Sequence, residues 1–106
     1  GICFDVGHCN LFFDGEFDIE KFKNKILAIH LHDNFKKKDD HNLPFDGTVN
    51  WERAIKQILS LNYHGYITIE AGKTEYYADL SFQEYYSLAY ERGQKLIELF
   101  KKYEND

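Results

Sequence analysis

The sequence lacks the features that mark membrane, secreted or nucleic-acid-binding chains. It has only two cysteines, Cys3 and Cys9, too few for a disulfide framework. No signal-peptide pattern opens it, so a reducing, cytoplasmic setting is the expectation. No apolar run reaches the ~18 residues that a membrane helix needs. There is no basic excess either: 13 Lys and Arg stand against 18 Asp and Glu, a formal net charge of −5. Phosphate binding needs a basic footprint, so nucleic acid is disfavoured as a partner. The one basic run, Lys36-Lys37-Lys38, leads directly into Asp39-Asp40 and reads as a solvated loop. No glycine-rich fingerprint follows any strand-like run, which disfavours a dinucleotide-binding fold.

What is present is the composition of a globular protein. Of 106 residues, 43% are hydrophobic and 17% aromatic, enough for one domain that buries roughly 60–70% of its unfolded surface. The chain opens directly on a strand-like run with no cap or preceding element, and a fragment of a larger fold is the expectation that follows.

Three short apolar runs end in the same way. Gly1 to Phe4 reads as a buried strand that runs into Asp5-Val-Gly-His8. Ile26 to His32 reads as a second strand, on which His30 and His32 share a face. Tyr66 to Glu70 reads as a third. Between them, Asp5 to Gly15 has the breakers of a loop (Gly7, Asn10, Asp14-Gly15). Asp18 can cap a short helix over Ile19 to Asn24. Asn34 to Asn50 is a long polar loop, closed by Pro44 and Gly47, and a loop this long is usually functional. Asn50 can cap a helix from Trp51 to Leu61 whose Trp51, Ala54, Ile55, Ile58 and Leu59 fall on one face. Asn62 and Gly65 end it. Ala71 to Leu80 reads as a loop. Ser81 and Glu84 form a capping box that opens a long helix from Phe82 to about Lys102.

The order is βα, βα, βα, which implies parallel strands joined by helical crossovers. Periodicity alone leaves an open doubly wound sheet and a barrel both available. In either, ligands bind at the carboxyl ends of the strands, where the titratable side chains stand. Taken singly, Asp5 and His8 fit a turn, His30 and His32 fit a satisfied core, and Asp39 and His41 fit a solvated loop. Glu70 follows Ile67-Thr68-Ile69 directly, where burial is expected, and a buried carboxylate needs a partner or a metal. All of these groups fall on one rim, and together they read as part of a metal site. Cys9, after His8, stays open as a further ligand.

The segments Phe4-Asp5-Val-Gly-His8, Ile29-His30-Leu-His-Asp33-Asn34, Asp39-Asp-His-Asn-Leu-Pro-Phe-Asp-Gly47, Val49-Asn-Trp51 and Gly65-Tyr-Ile-Thr-Ile-Glu70 resemble the C-terminal part of the xylose-isomerase-like TIM-barrel superfamily. That group includes sugar phosphate isomerases/epimerases and the endonuclease IV type of apurinic-site nuclease. The resemblance implies a partial TIM barrel, with residues 1–106 as the last three βα units of a fold that needs ~250 residues. It implies that Asp5, His30 and Glu70 bind a divalent metal (Mn, Mg, Co or Zn), with Glu70 also catalytic. His8, His32, Asp39 and His41 become contacts to substrate or a second metal. The family's other key glutamate lies on the preceding strand, outside this chain.

Three functions follow as expectations. The first is a metal-dependent sugar or sugar-phosphate isomerase/epimerase acting on a small-molecule sugar, inactive without the rest of its barrel. The second is a multi-zinc nuclease at abasic DNA, against which Asp40 stands where that pattern tends to carry a basic residue. The third is an inactive folding fragment. Open sheet edges and the apolar strand residues Ile2, Phe4, Leu27, Ile29, Ile67 and Ile69 predict self-association of the isolated chain.

Overall fold

The structure, a computed structural model, describes residues 1–104. Strands β1 (Ile2–Asp5), β2 (Ile26–Leu31) and β3 (Ile67–Ile69) form an open three-stranded sheet in sequence order. Both pairings are parallel. Asp5 pairs with His30, and His30 with Thr68. The register shifts once, between Ile2 and Cys3.

Alternation along the strands sets the two faces apart. Phe4, Ile29 and Leu31 point to one face, where they join Ile19, Trp51, Ala54, Ile55, Ile58, Leu61 and Leu96 in a single buried cluster. The segments that follow β1, β2 and β3 all feed this cluster. The helices therefore cover one face of the sheet, as in an arc of a TIM barrel, whereas a doubly wound sheet carries helices on both. His30 and Thr68 belong to the other, open face. No helix among the described residues is long and apolar enough to cross a membrane.

The helix after β2, labelled α2 (Trp51–Ser60), starts where Asn50 accepts the Arg53 N–H at 3.0 Å, and buries Trp51, Ala54, Ile55 and Ile58. The helix after β3, labelled α3 (Phe82–Glu104), opens on a reciprocal capping box: Ser81 N–H donates to Glu84 at 2.9 Å and Glu84 N–H to Ser81 Oγ at 3.1 Å.

Four expectations need correction. Residues after Asp5 are not a loop but a helix, Val6–Phe13, here called αN because it sits at the tip of β1. Asp5 accepts the His8 N–H at 2.9 Å and so caps it, while Asp14 ends it in the left-handed conformation at φ 54°. Asp18 makes no side-chain capping bond, and the segment after it is a kinked 3-10 helix, Ile19–Lys25. A one-turn 3-10 helix, Glu75–Tyr77, interrupts the loop after β3. Finally, Phe4 and Ile29 lie buried under the helices and offer nothing to a partner, whereas Leu27 is 73% exposed. The larger exposed apolar stripe runs along α3 through Phe82, Tyr86, Tyr90 and Ile97.

Candidate metal centre

The parallel register puts Asp5 beside His30 on the open face, and Glu70 stands two residues past Thr68. Glu70 N–H donates to Leu31 C=O at 2.9 Å and so extends the ladder by one bond. His30 Nδ1 lies 2.7 Å from Glu70 Oε2. The ligand-type atoms of Asp5, His30 and Glu70 all fall within 4.8 Å of one another. Glu70 was expected to be buried. Its side chain is 42% exposed, because the sheet face it stands on is open.

A second group gathers beside the first. His8, His32, Asp39 and His41 also bring one ligand-type atom each within 4.8 Å of the others. The first turn of αN aims His8, whose Nε2 lies 3.0 Å from Asp39 Oδ2 and whose Nδ1 lies 3.3 Å from Asp5 Oδ2. His41 sits in the left-handed region at φ 53°, a conformation that non-glycine residues seldom adopt. Its Nδ1–H donates to the Glu70 carbonyl at 2.9 Å, since a carbonyl can only accept. That leaves Nε2, 3.1 Å from Asp39 Oδ2, as the lone-pair nitrogen of the neutral ring. Metal-binding histidines are oriented in this way, by a backbone acceptor on the far nitrogen.

His32 is fully buried. Its ring stacks on His41 with centroids 3.9 Å apart and planes at 10°. Its Nε2 approaches Asp5 Oδ1 to 2.7 Å, off the hydrogen-bond direction, so both ring nitrogens lack a protein hydrogen-bond partner. The ring also rests against Gly7. A Cβ there would lie 2.6 Å from His32 Nε2 and closer still to Cε1 and Nδ1. Cys9, by contrast, is packed into the apolar cluster and belongs to neither group.

The charges are coupled. Burial raises the Asp5 carboxyl, but His32 and the His8 N–H outweigh it and hold it below the usual range. Asp39 is likewise raised by burial and lowered further by His8 and His41. Burial lowers His41, yet the Glu70 carbonyl and the Asp39 carboxylate hold it above the ordinary histidine value.

Residues without an assigned role in the sequence turn out to hold the site together. Asp33 is fully buried. Its Oδ1 accepts from Asn34 N–H at 2.9 Å and Val49 N–H at 3.0 Å; its Oδ2 accepts from Trp51 Nε1–H at 2.9 Å and Phe45 N–H at 3.1 Å. Burial pushes this carboxyl up, and the four donors pull against it. Asn34, also buried, donates to Gly7 C=O at 2.8 Å and accepts from Asn10 at 2.8 Å, tying the loop to αN. The sequence signal was limited to a polar pair just past a strand; the donors are mostly backbone groups, which leave no trace in side-chain type.

Comparison with known proteins gives consistent matches. A family profile for the xylose isomerase-like TIM barrel matches residues 1–98. An uncharacterized protein of Sinorhizobium fredii is 37% identical over 100 residues, covering 93% of this chain and 32% of that protein. One from Methanocaldococcus jannaschii is 33% identical over 73 residues, covering 66% of this chain and 25% of that protein. Among solved structures, a D-tagatose 3-epimerase-like protein superimposes with a TM-score of 0.71 at 25% identity, over 96% of this chain and 36% of that one. The chain spans 32% and 25% of the length of the two relatives.

Proposed function

The chain belongs to the xylose isomerase-like TIM-barrel family, and from that premise we propose that residues 1–106 are the C-terminal part of a metal-dependent sugar isomerase or epimerase. The observation that carries the reading is the convergence of Asp5, His30 and Glu70 within 4.8 Å at the carboxyl ends of three parallel strands. An ion that binds each ligand at ~2.0–2.6 Å accommodates that spacing. The donor set fits as well. Two carboxylates and one imidazole suit a hard divalent ion such as Mn²⁺ or Mg²⁺. The imidazole-rich group of His8, His32, Asp39 and His41 suits a borderline ion such as Zn²⁺ or Co²⁺, or a substrate oxygen.

Bound there, a divalent ion would supply Lewis acidity toward a sugar carbonyl or hydroxyl. The chain's own residues would do the rest. Glu70 stands on the open face with its carboxylate accessible, placed to take up a proton from a substrate carbon. His41, fixed by the Glu70 carbonyl, and His8, fixed on the αN cap, would orient substrate oxygens. Of the described strand tips, that of β3 alone carries a glutamate. General acid–base exchange between neighbouring carbons needs a second group, so turnover by this chain alone is not expected.

The second group favours one other reading, a multi-zinc phosphodiesterase. Asp40 and Glu75 border Asp39 in the same groove and would repel a nucleic-acid backbone, so the sugar reading is preferred.

Calorimetric titration with Mn²⁺ tests the proposal. One or two sites should appear, and Glu70→Gln or Asp5→Asn should weaken the first about tenfold or more, on the scale seen when groups that support a metal site are removed. Absence of any site at millimolar metal would refute it.

A further inference from the structure

Between the 34–50 loop and the loop after β3 lies a groove of about 610 Å³, a volume in the range of small-molecule sites. Asp39 forms part of its wall, and the Oδ2 of the same residue lies 3.0 Å from His8. An occupant lying against that wall therefore reaches the candidate metal centre through Asp39. Two aromatic rings, Phe35 and Tyr76, line it with centroids 6.1 Å apart. They are 43% and 55% exposed; Tyr76 rests edge-on against buried Tyr77 at 4.9 Å, which anchors the ring and leaves more than half of it open to the groove. The remaining charge is mostly negative: Asp39, Asp40 and Glu75 against Lys38, whose ammonium lies 3.8 Å from Asp40.

We propose that this groove takes the uncharged, polyhydroxylated end of a sugar and rejects a phosphate ester; the proposal rests on the sugar reading above. The electron-rich faces of Phe35 and Tyr76 attract the weakly positive C–H face of a sugar ring or chain. The carboxylates accept hydrogen bonds from its hydroxyl groups, and such charge-assisted bonds are the stronger kind. A phosphate dianion meets the opposite treatment. Many barrels hold phosphate at the loops after their final strands, but here the short helix in that loop begins with Glu75. Of the cations nearby, Lys36 pairs with Asp14, Lys73 lies over the Phe82 ring at 5.2 Å, and Lys37 is not part of the groove lining. The groove thus selects for a free sugar over its phosphate ester by charge, and for a ring or chain with an exposed C–H face by shape.

Saturation-transfer NMR on the full chain in Mg²⁺ tests this, with D-fructose and D-fructose 6-phosphate as probes. D-fructose should bind at least fivefold more tightly than its phosphate, a difference of about 1 kcal/mol at 1.4 kcal/mol per tenfold. Phe35→Ala and Tyr76→Ala should each weaken D-fructose about fivefold, with unchanged circular dichroism because both rings are exposed. Glu75→Lys should bring the phosphate ester to parity or better. D-fructose binding that ignores both aromatic variants would overturn the groove assignment while leaving the sugar reading intact. Equal or tighter binding of the phosphate by the unmodified chain would overturn the charge selection. Metal binding without affinity for either probe would overturn the sugar reading and this inference with it.

Discussion

Gly7→Ala is expected to destabilise the protein, although helix propensity alone says the reverse. Gly7 lies in the first turn of αN, and its φ is not in the left-handed region, so alanine meets no backbone penalty. Propensity then favours alanine by up to ~1 kcal/mol. Against this stands the ring of His32, fully buried and 2.6 Å or less from the new Cβ at three of its atoms. The ring cannot slide away cheaply. It is stacked on His41 at 3.9 Å and held 2.7 Å from Asp5. Overpacking of this kind costs ~1–3 kcal/mol, more when the neighbour is pinned. The net expectation is a loss of about 1–2 kcal/mol, or ~4–8 °C in Tm per kcal/mol for a domain near this size. Displacement of His32 should also move His41, so metal affinity at the second group should fall with stability. Urea unfolding and metal titration on the same variant measure both. A Gly7→Ala protein of equal or greater stability with unaltered metal affinity would refute the reasoning.

Other outcomes follow from single residues. Asp33→Asn replaces two acceptor oxygens by one oxygen and an NH₂ group, so two of four buried donors lose their partner; the cost should be ~2–4 kcal/mol, with faster amide exchange at Phe45 or Val49. Unchanged exchange at both would count against the clamp. Tyr77 donates to Asp46 at 2.8 Å and accepts from Leu43 N–H at 2.7 Å. Burial first, then Asp46, pushes its hydroxyl well above the ordinary tyrosine range. The unfolded chain releases that proton near pH ~10 and the folded one does not. Stability contributed by Tyr77 is therefore complete below that pH and lost as pH rises past it. Tyr77→Phe should cost ~1–3 kcal/mol at neutral pH and flatten the alkaline decline; parallel pH curves for the two proteins would exclude the mechanism.

Much of the fold was legible because its signals are local. Asn50 and the Ser81–Glu84 pair cap helices through contacts three residues away, and such spacing is visible in any sequence. The rim was legible because Asp5, His30 and Glu70 each stand at the end of a short apolar run of strand type, while the grouping of these three as one ligand set comes from the family resemblance. The helix αN was not legible. Gly7 and Asn10 read as breakers, but both are there for distant partners: Gly7 makes room for His32, and Asn10 donates to Asn34 at 2.8 Å and Thr48 at 3.1 Å. The exposure of Glu70 was missed because one strand's pattern does not reveal whether its far face is covered.

The clamp at Asp33 has a consequence for how such a protein diversifies. Its carboxylate gathers donors from positions 34, 45, 49 and 51, so both ends of a long loop are tied to one side chain. The tip, from Phe35 through Lys38, lies outside that knot and short of Asp39, which belongs to the candidate metal centre. Residues can be exchanged, gained or lost at the tip without loosening the base, while the tip is what borders the groove. A lineage can therefore explore new ligands by drift in a handful of exposed positions, at little risk to the frame that carries them.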